Sequence, residues 1–431
     1  MSHIVGLASV SQLIAFLALP VATSTVTSTP SVEAVSDDDR ALIESAFGAP
    51  GDPSSDGKSE GAGAGDFELG ASSVSSSSGS SSSLSFAGAI QSMNPEISLI
   101  LDAAAAYFDG DPMQLGGHDP NKTGFSLQQL ELHMGGSVDP FFRLDANIVF
   151  SLFGVEVEEV YATTLALPYG LQARAGQFLT RFGRINATHP HTWSFVDQPL
   201  VIGKFFGSEG NRGLGGELSW LSPLPWYLEV SLSANNADGE CCARSFVGSD
   251  EFEIRGPADL LYTTTIKQFF PLSDSWSLSL GLSGQFGPNA SGYHNRTAIF
   301  GTDVYLRYRP IDSAERSALS LQAEGLYRRR QVPDGLLDDF GFYAQLVWNI
   351  SPEWEIGGRF EHVDGVRDDP IDPDWTKPRR RTSVEGTFYP SHFSRIRLQG
   401  SYDEPTFEPQ PVYVVMLALE VMIGAHGAHS F

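Results

Sequence analysis

From Pro95 onward, apolar and polar residues alternate over stretches of roughly 9–11 positions, the length of a membrane-crossing strand. Sixteen stretches carry the alternation: 96–107, 124–136, 141–151, 154–167, 171–181, 212–222, 226–236, 258–270, 276–287, 296–309, 316–330, 340–350, 354–363, 380–389, 394–403 and 411–424. Successive side chains of a strand point to opposite faces, so each stretch has a polar and an apolar side. In 394–403, Arg395, Arg397, Gln399, Ser401 and Asp403 oppose Ile396, Leu398 and Tyr402. In 354–363, Glu355, Arg359 and Glu361 oppose Ile356 and Phe360, and in 141–151, Arg143, Asp145 and Asn147 oppose Leu144, Ala146, Ile148 and Phe150. In 296–309, Asp303, Tyr305, Arg307 and Arg309 oppose Val304 and Leu306.

The connections alternate too. Short ones (137–140, 168–170, 223–226, 272–275, 310–316, 351–354, 389–393) interleave with longer, polar ones (109–123, 181–212, 235–257, 287–296, 331–339, 365–379, 403–410). One-sided loop length on antiparallel strands predicts an all-β fold, a transmembrane β-barrel of about sixteen strands with short periplasmic turns. An even count leaves both barrel ends on the turn side. Charge on the lipid face costs about 2–4 kcal/mol at mid-membrane, so the polar faces must line the lumen. Arg143, Asp145, Arg174, Arg307, Arg359, Glu361 and Arg397 are the expected pore-lining residues. A barrel of this size leaves an aqueous channel rather than a packed core. Trp226, Trp276 and Trp354 each follow a short turn directly, which predicts a girdle at the membrane–water interface.

Composition narrows the class. The 431 residues are 41% hydrophobic, with Gly 44, Phe 28, Tyr 13 and Trp 7, and no internal run is long enough for a membrane helix. The net charge is −25, and 42 acidic against 25 basic residues fall after residue 94. That balance excludes nucleic acid as a partner. The 2 cysteines are the adjacent pair Cys241–Cys242, a spacing that rarely bridges and fits no metal site.

Ile4–Pro20 is apolar and is followed by Val21-Ala22-Thr23-Ser24, which reads as a signal peptide over 1–24 with cleavage near Ser24, despite an n-region without Lys or Arg. Residues 25–94, with the Ser-rich run 72–85, cannot bury enough apolar surface to offset ordering and read as a disordered periplasmic segment. The barrel takes 95–431. It ends on the aromatic Phe431, although GAHGAHSF separates that residue from the alternation of 412–423.

The 181–212 connection, third on the outer side, holds Phe195, Val196, Leu200, Val201, Ile202, Phe205 and Phe206, enough apolar surface to fold against the inner wall. Arg181, Arg184, His189, His191, Lys204 and Arg212 are its candidate constriction residues, since rings of basic side chains favour anions. His189-Pro-His191 and His426…His429 lack a nearby carboxylate or Cys in sequence, an incomplete first shell, so no metal and no cofactor are expected. No Ser/His/acid spacing points to catalysis.

Residues 124–150, 155–186 and the polar segment after them resemble the phosphate-selective (porin O/P-like) porin family, through Glu158-Glu159, Tyr161 and Gly176-Gln177-Phe178. The resemblance implies a sixteen-stranded outer-membrane barrel of a Gram-negative bacterium, a homotrimer and an inward third loop. Its partners would be outer-membrane lipid, lipopolysaccharide, small solutes and the barrel-insertion machinery. The leading expectation is a passive diffusion porin. Alternatives are a substrate-specific transporter or receptor, metal- or anion-linked, and a structural barrel tethered in the periplasm. Sequences that resemble this one are also labelled zinc-regulated TonB-dependent outer membrane receptors, a class that would need twenty-two strands and a plug, for which 25–94 is too short. Lysines from 95 onward are only Lys122, Lys204, Lys267 and Lys377, so the lumen is poor in the residues that select phosphate.

Overall fold

A computed structural model describes residues 95–424 apart from 153, 238, 249–252, 293, 311–316, 370, 372 and 374. The expected signal peptide, the segment 25–94, His426, His429 and Phe431 lie outside the described residues.

The sixteen alternating stretches form sixteen antiparallel strands. They are β1 (Glu96–Phe108), β2 (Gly124–Ser137), β3 (Phe142–Ser151), β4 (Gly154–Thr164), β5 (Leu171–Leu179), β6 (Arg212–Leu221), β7 (Tyr227–Asn235) and β8 (Leu261–Pro271). They continue as β9 (Trp276–Pro288), β10 (Arg296–Tyr308), β11 (Ala318–Val332), β12 (Gly335–Ser351), β13 (Trp354–Val363), β14 (Arg379–Ser391), β15 (Ser394–Pro405) and β16 (Val412–Gly424). Each strand pairs with its neighbours in sequence, and β1 pairs with β16, closing the barrel. Closure removes the unpaired edges that lipid cannot satisfy.

Alternation sorts the faces. On β15, Arg395, Arg397, Gln399, Ser401 and Asp403 are buried inward while Ile396, Leu398 and Tyr402 are exposed outward. The same outer band carries Leu218, Leu232, Leu282, Phe300, Leu346, Val384, Leu417 and Leu419.

The third outer connection, 180–211, folds into the barrel, as its apolar content predicts. Its short helix α1 (Leu200–Phe205) packs on α3 (Arg244–Val247) of the β7–β8 connection, and α3 packs in turn on α2 (Gly239–Cys242). Phe182, Ile185, Leu200, Val201, Ile202, Phe205 and Phe206 join Phe246, Val247, Ile299, Leu326, Tyr343 and Val363 in one buried apolar cluster inside the barrel. A second cluster seats Val196 on Ala104, Ala106, Val414, Met416 and Ala418 of β1 and β16. The small alanines of β1 leave the room this needs.

Three expectations change. The polar stretch 331–339 is not a long loop: β11 runs to Val332, β12 starts at Gly335, and two residues turn between them. Its polarity belongs to paired strands, with Arg328 opposite Asp339 and Arg329 opposite Asp338. Cys241 and Cys242 are bridged to each other, where adjacency argued against it. The lumen face is also less open than sixteen strands alone imply, because the inserted segments bury most of its outer-side charges.

Candidate functional site

An inserted loop brings backbone amides and carbonyls away from water, and each needs a partner. The polar face of the wall supplies them. Gly183 N–H donates to Ser283 Oγ at 2.9 Å, and the N–H groups of Arg184 and Ile185 donate to Glu324 at 3.0 and 2.8 Å. Further on, Arg395 donates to the carbonyls of His191 and Trp193 at 2.6 and 2.9 Å, and Arg397 to that of Phe195 at 3.2 Å. Val196 N–H donates to Gln399 at 2.7 Å and Leu200 N–H to Glu361 at 2.8 Å. Arg359 and Arg381 donate to the carbonyls of Asp197 and Gln198 at 3.0 and 2.8 Å. Strands from β9 round to β15 thus hold the segment step by step.

Asp197 is the charged centre of this grip. It pairs with Arg359, with Arg381 at 2.9 Å, and accepts from Gln399 at 2.9 Å and Gln114 at 3.1 Å. Burial opposes its charge, but Arg381 and Arg359 hold its carboxyl well below the usual carboxylate range. Nearby Asp119, whose carboxylate accepts from Gln198 N–H at 2.9 Å, is pushed the other way, to about 7, by burial and by the charge of Asp197.

The expected constriction residues all stand at the ends of or within the inserted segment, but not as an open basic ring. Arg181 pairs with Glu217 at 3.0 Å and with Glu229. Arg184 lies over the Tyr305 ring at 3.8 Å. Lys204 is fully buried, 3.4 Å from Asp339 and over Trp375, and Arg212 pairs with Glu156. Of the expected lining residues, Arg359 and Glu361 bond each other at 3.1 Å, and Arg397 reaches Asp102 at 3.1 Å. Arg174 pairs with Glu217 at 3.0 Å, and Arg143 with Asp145 at 2.8 Å. Arg307 lies apart, with Arg309, Asn349 and Glu353 on a cavity of about 540 Å³ at the turn-side end. Trp226, Trp276 and Trp354 are exposed at the starts of β7, β9 and β13.

The two histidines find carboxylates the sequence did not place beside them. His189 is 3.1 Å from Glu158 and 2.9 Å from Glu159 of β4, and His191 is 3.1 Å from Glu131 of β2. Burial opposes protonation of His189, yet the charges of Glu158 and Glu131 hold its pKa well above the ordinary value. His118, in the β1–β2 connection, meets Glu209 at 3.0 Å; burial opposes its charge, but that bond pushes its pKa up to about 9. Two trios bring their ligand atoms within 4.8 Å of one another: His118, Glu158 and Glu209, and Glu131, Glu158 and His189. In the sequence, Glu158-Glu159 as a family pattern and His189-Pro-His191 as a histidine pair are the signals that point here.

No protein-family model matches the chain. Among solved structures, OprB of Pseudomonas putida at high pH superposes with a TM-score of 0.53 at 9% identity, over 78% of this chain and 96% of that one. The outer membrane channel DcaP of Acinetobacter baumannii gives 0.50 at 12% identity, over 76% and 97%. Likeness at such identities speaks for the fold, that of outer-membrane barrels. An uncharacterized protein of Aquifex aeolicus (strain VF5) is 32% identical over 386 residues, 78% of this chain and 80% of its own length. The chain belongs to the family of that Aquifex aeolicus protein.

Proposed function

We propose that this chain is a passive porin of a Gram-negative outer membrane. Small polar or charged solutes cross it down their gradient, and the segment 180–211 sets the narrowest point. The observation that carries the reading is the third outer connection held inside a closed sixteen-strand barrel by the wall's own side chains. An apolar outer band with a charged inner face fits lipid outside and water inside. The resemblance to phosphate-selective porins extends the proposal to a trimer. Phosphate as the solute has less support, because Arg181, Lys204 and Arg212 are each matched by a carboxylate. The packed outer side of the lumen favours a narrow route over a wide pore, and no covalent chemistry is invoked. Planar-bilayer recording of the purified protein tests this. Stepwise openings smaller than those of an unobstructed sixteen-strand barrel are expected, and a folded protein that gives no steps would overturn the reading.

A further inference from the structure

We propose that His118, Glu158 and Glu209, with Gln198 as a fourth donor, form a binding site for one divalent first-row transition-metal ion inside the barrel. The inference goes beyond the porin reading and holds whatever solute crosses.

The three residues come from three elements: His118 from the β1–β2 connection, Glu158 from the wall strand β4, and Glu209 from the inserted segment. Their ligand atoms lie within 4.8 Å of one another. Donors 2.0–2.2 Å from a tetrahedral metal stand roughly 3.3 Å apart. His118 Nε2 and Glu209 are already at 3.0 Å, so closure asks at most about 1.5 Å of Glu158. The orientation is prepared as well. His118 Nδ1 faces the carbonyl of Gln128 at 3.4 Å, an outer-shell contact that fixes the ring and leaves Nε2 for a metal. Gly117 has no Cβ, and one added there would stand on Glu209 Oε1.

A cavity supplies the second observation. His118, Glu158, Glu209 and Gln198 line a space of about 20 Å³, enough for one water or ion and little else. Gln198 is 4% exposed, and its Oε1 has no hydrogen-bond partner. A buried acceptor left unpaired costs about 1–3 kcal/mol, and a cation in this cavity would satisfy it. One imidazole, two carboxylates and an amide oxygen suit zinc and its neighbours better than calcium, which takes 6–8 oxygens. The bound ion would tie the β1–β2 connection and the inserted segment to the wall.

The full-length barrel, folded in detergent and stripped with a chelator, should be titrated with Co²⁺ and then Zn²⁺. The wild type is expected to take up one equivalent of Co²⁺, develop visible absorption bands of a tetrahedral site and lose them to Zn²⁺. His118→Ala and Glu209→Gln should each weaken binding by at least about 100-fold, the upper end of what losing even an outer-shell partner costs. His392→Ala, in the β14–β15 turn, should leave it unchanged. Heat-modifiable migration reports folding of each variant, and if one variant fails to fold the other decides. A folded wild type that takes up no stoichiometric metal overturns the proposal. So does binding that survives both variants, or that survives His118→Ala and disappears in His189→Ala.

Discussion

Glu324, itself buried, accepts two backbone amides of the inserted segment and the hydroxyl of buried Tyr343. Replacing it with Ala leaves those amides without an acceptor, at about 1–3 kcal/mol for each buried group. Glu324→Ala is therefore expected to fold but to show larger, noisier conductance steps in bilayer recording; steps identical to wild type would refute the role. Two glycines make the same contact possible. Gly183 sits at φ +62°, where a side chain is strained, and its missing Cβ leaves space for Glu324. Gly301 of β10 faces Phe182 so closely that an added Cβ would stand 2.6 Å from the ring. Gly301→Val should displace Phe182 at about 1–3 kcal/mol of overpacking, visible as protease cleavage within 180–211 that the wild type resists. None of this was legible in the sequence. Glycine in a strand reads as a weak point, and its partner lies more than a hundred residues away.

The inserted segment is gripped as an element, and Asp197 shows how the grip responds to pH. Its carboxyl titrates below the ordinary value of about 3.9, because Arg381 and Arg359 outweigh the effect of burial. A lowered folded-state pKa means stabilisation that is complete above the unfolded value and lost as pH falls through the folded one. The Asp197 contribution should thus be constant from neutral pH to about 4 and fade only below it. Conductance recorded against pH would test this, with release of the segment already at pH 6 counting against it. Asp197→Asn should loosen the segment wherever the wild-type carboxyl is ionised, since it leaves Arg359 and Arg381 sharing Glu361 as counter-charge. The loss is at most about 3–5 kcal/mol for a broken buried pair. At this scale the sequence was half legible. The apolar run of 195–206 announced an inward loop, because burial is written in composition. The partners were not, and 331–339 misled because charges paired across two strands look like the charges of a loop.

As a whole molecule, the barrel is set by alternation alone. The lipid requirement acts on every second residue of every strand, and that repeated local signal made the strand count legible. Leu417 lies mid-strand on the outer face of β16, opposite Leu398 and Ala105. Leu417→Arg should cost about 2–4 kcal/mol, measured as a lower midpoint of unfolding from lipid vesicles; an unchanged midpoint would place this face away from lipid. The seat of Val196 on Ala104, Ala106, Met416 and Ala418 has a consequence for the order of assembly. That seat exists only where β1 meets β16, the two ends of the barrel chain, and Arg397 joins the same seam by reaching Asp102 and Glu420 while holding Phe195. The Val196 end of the inserted segment therefore finds its seat only when the circle is complete. Once placed, it stitches the seam from within.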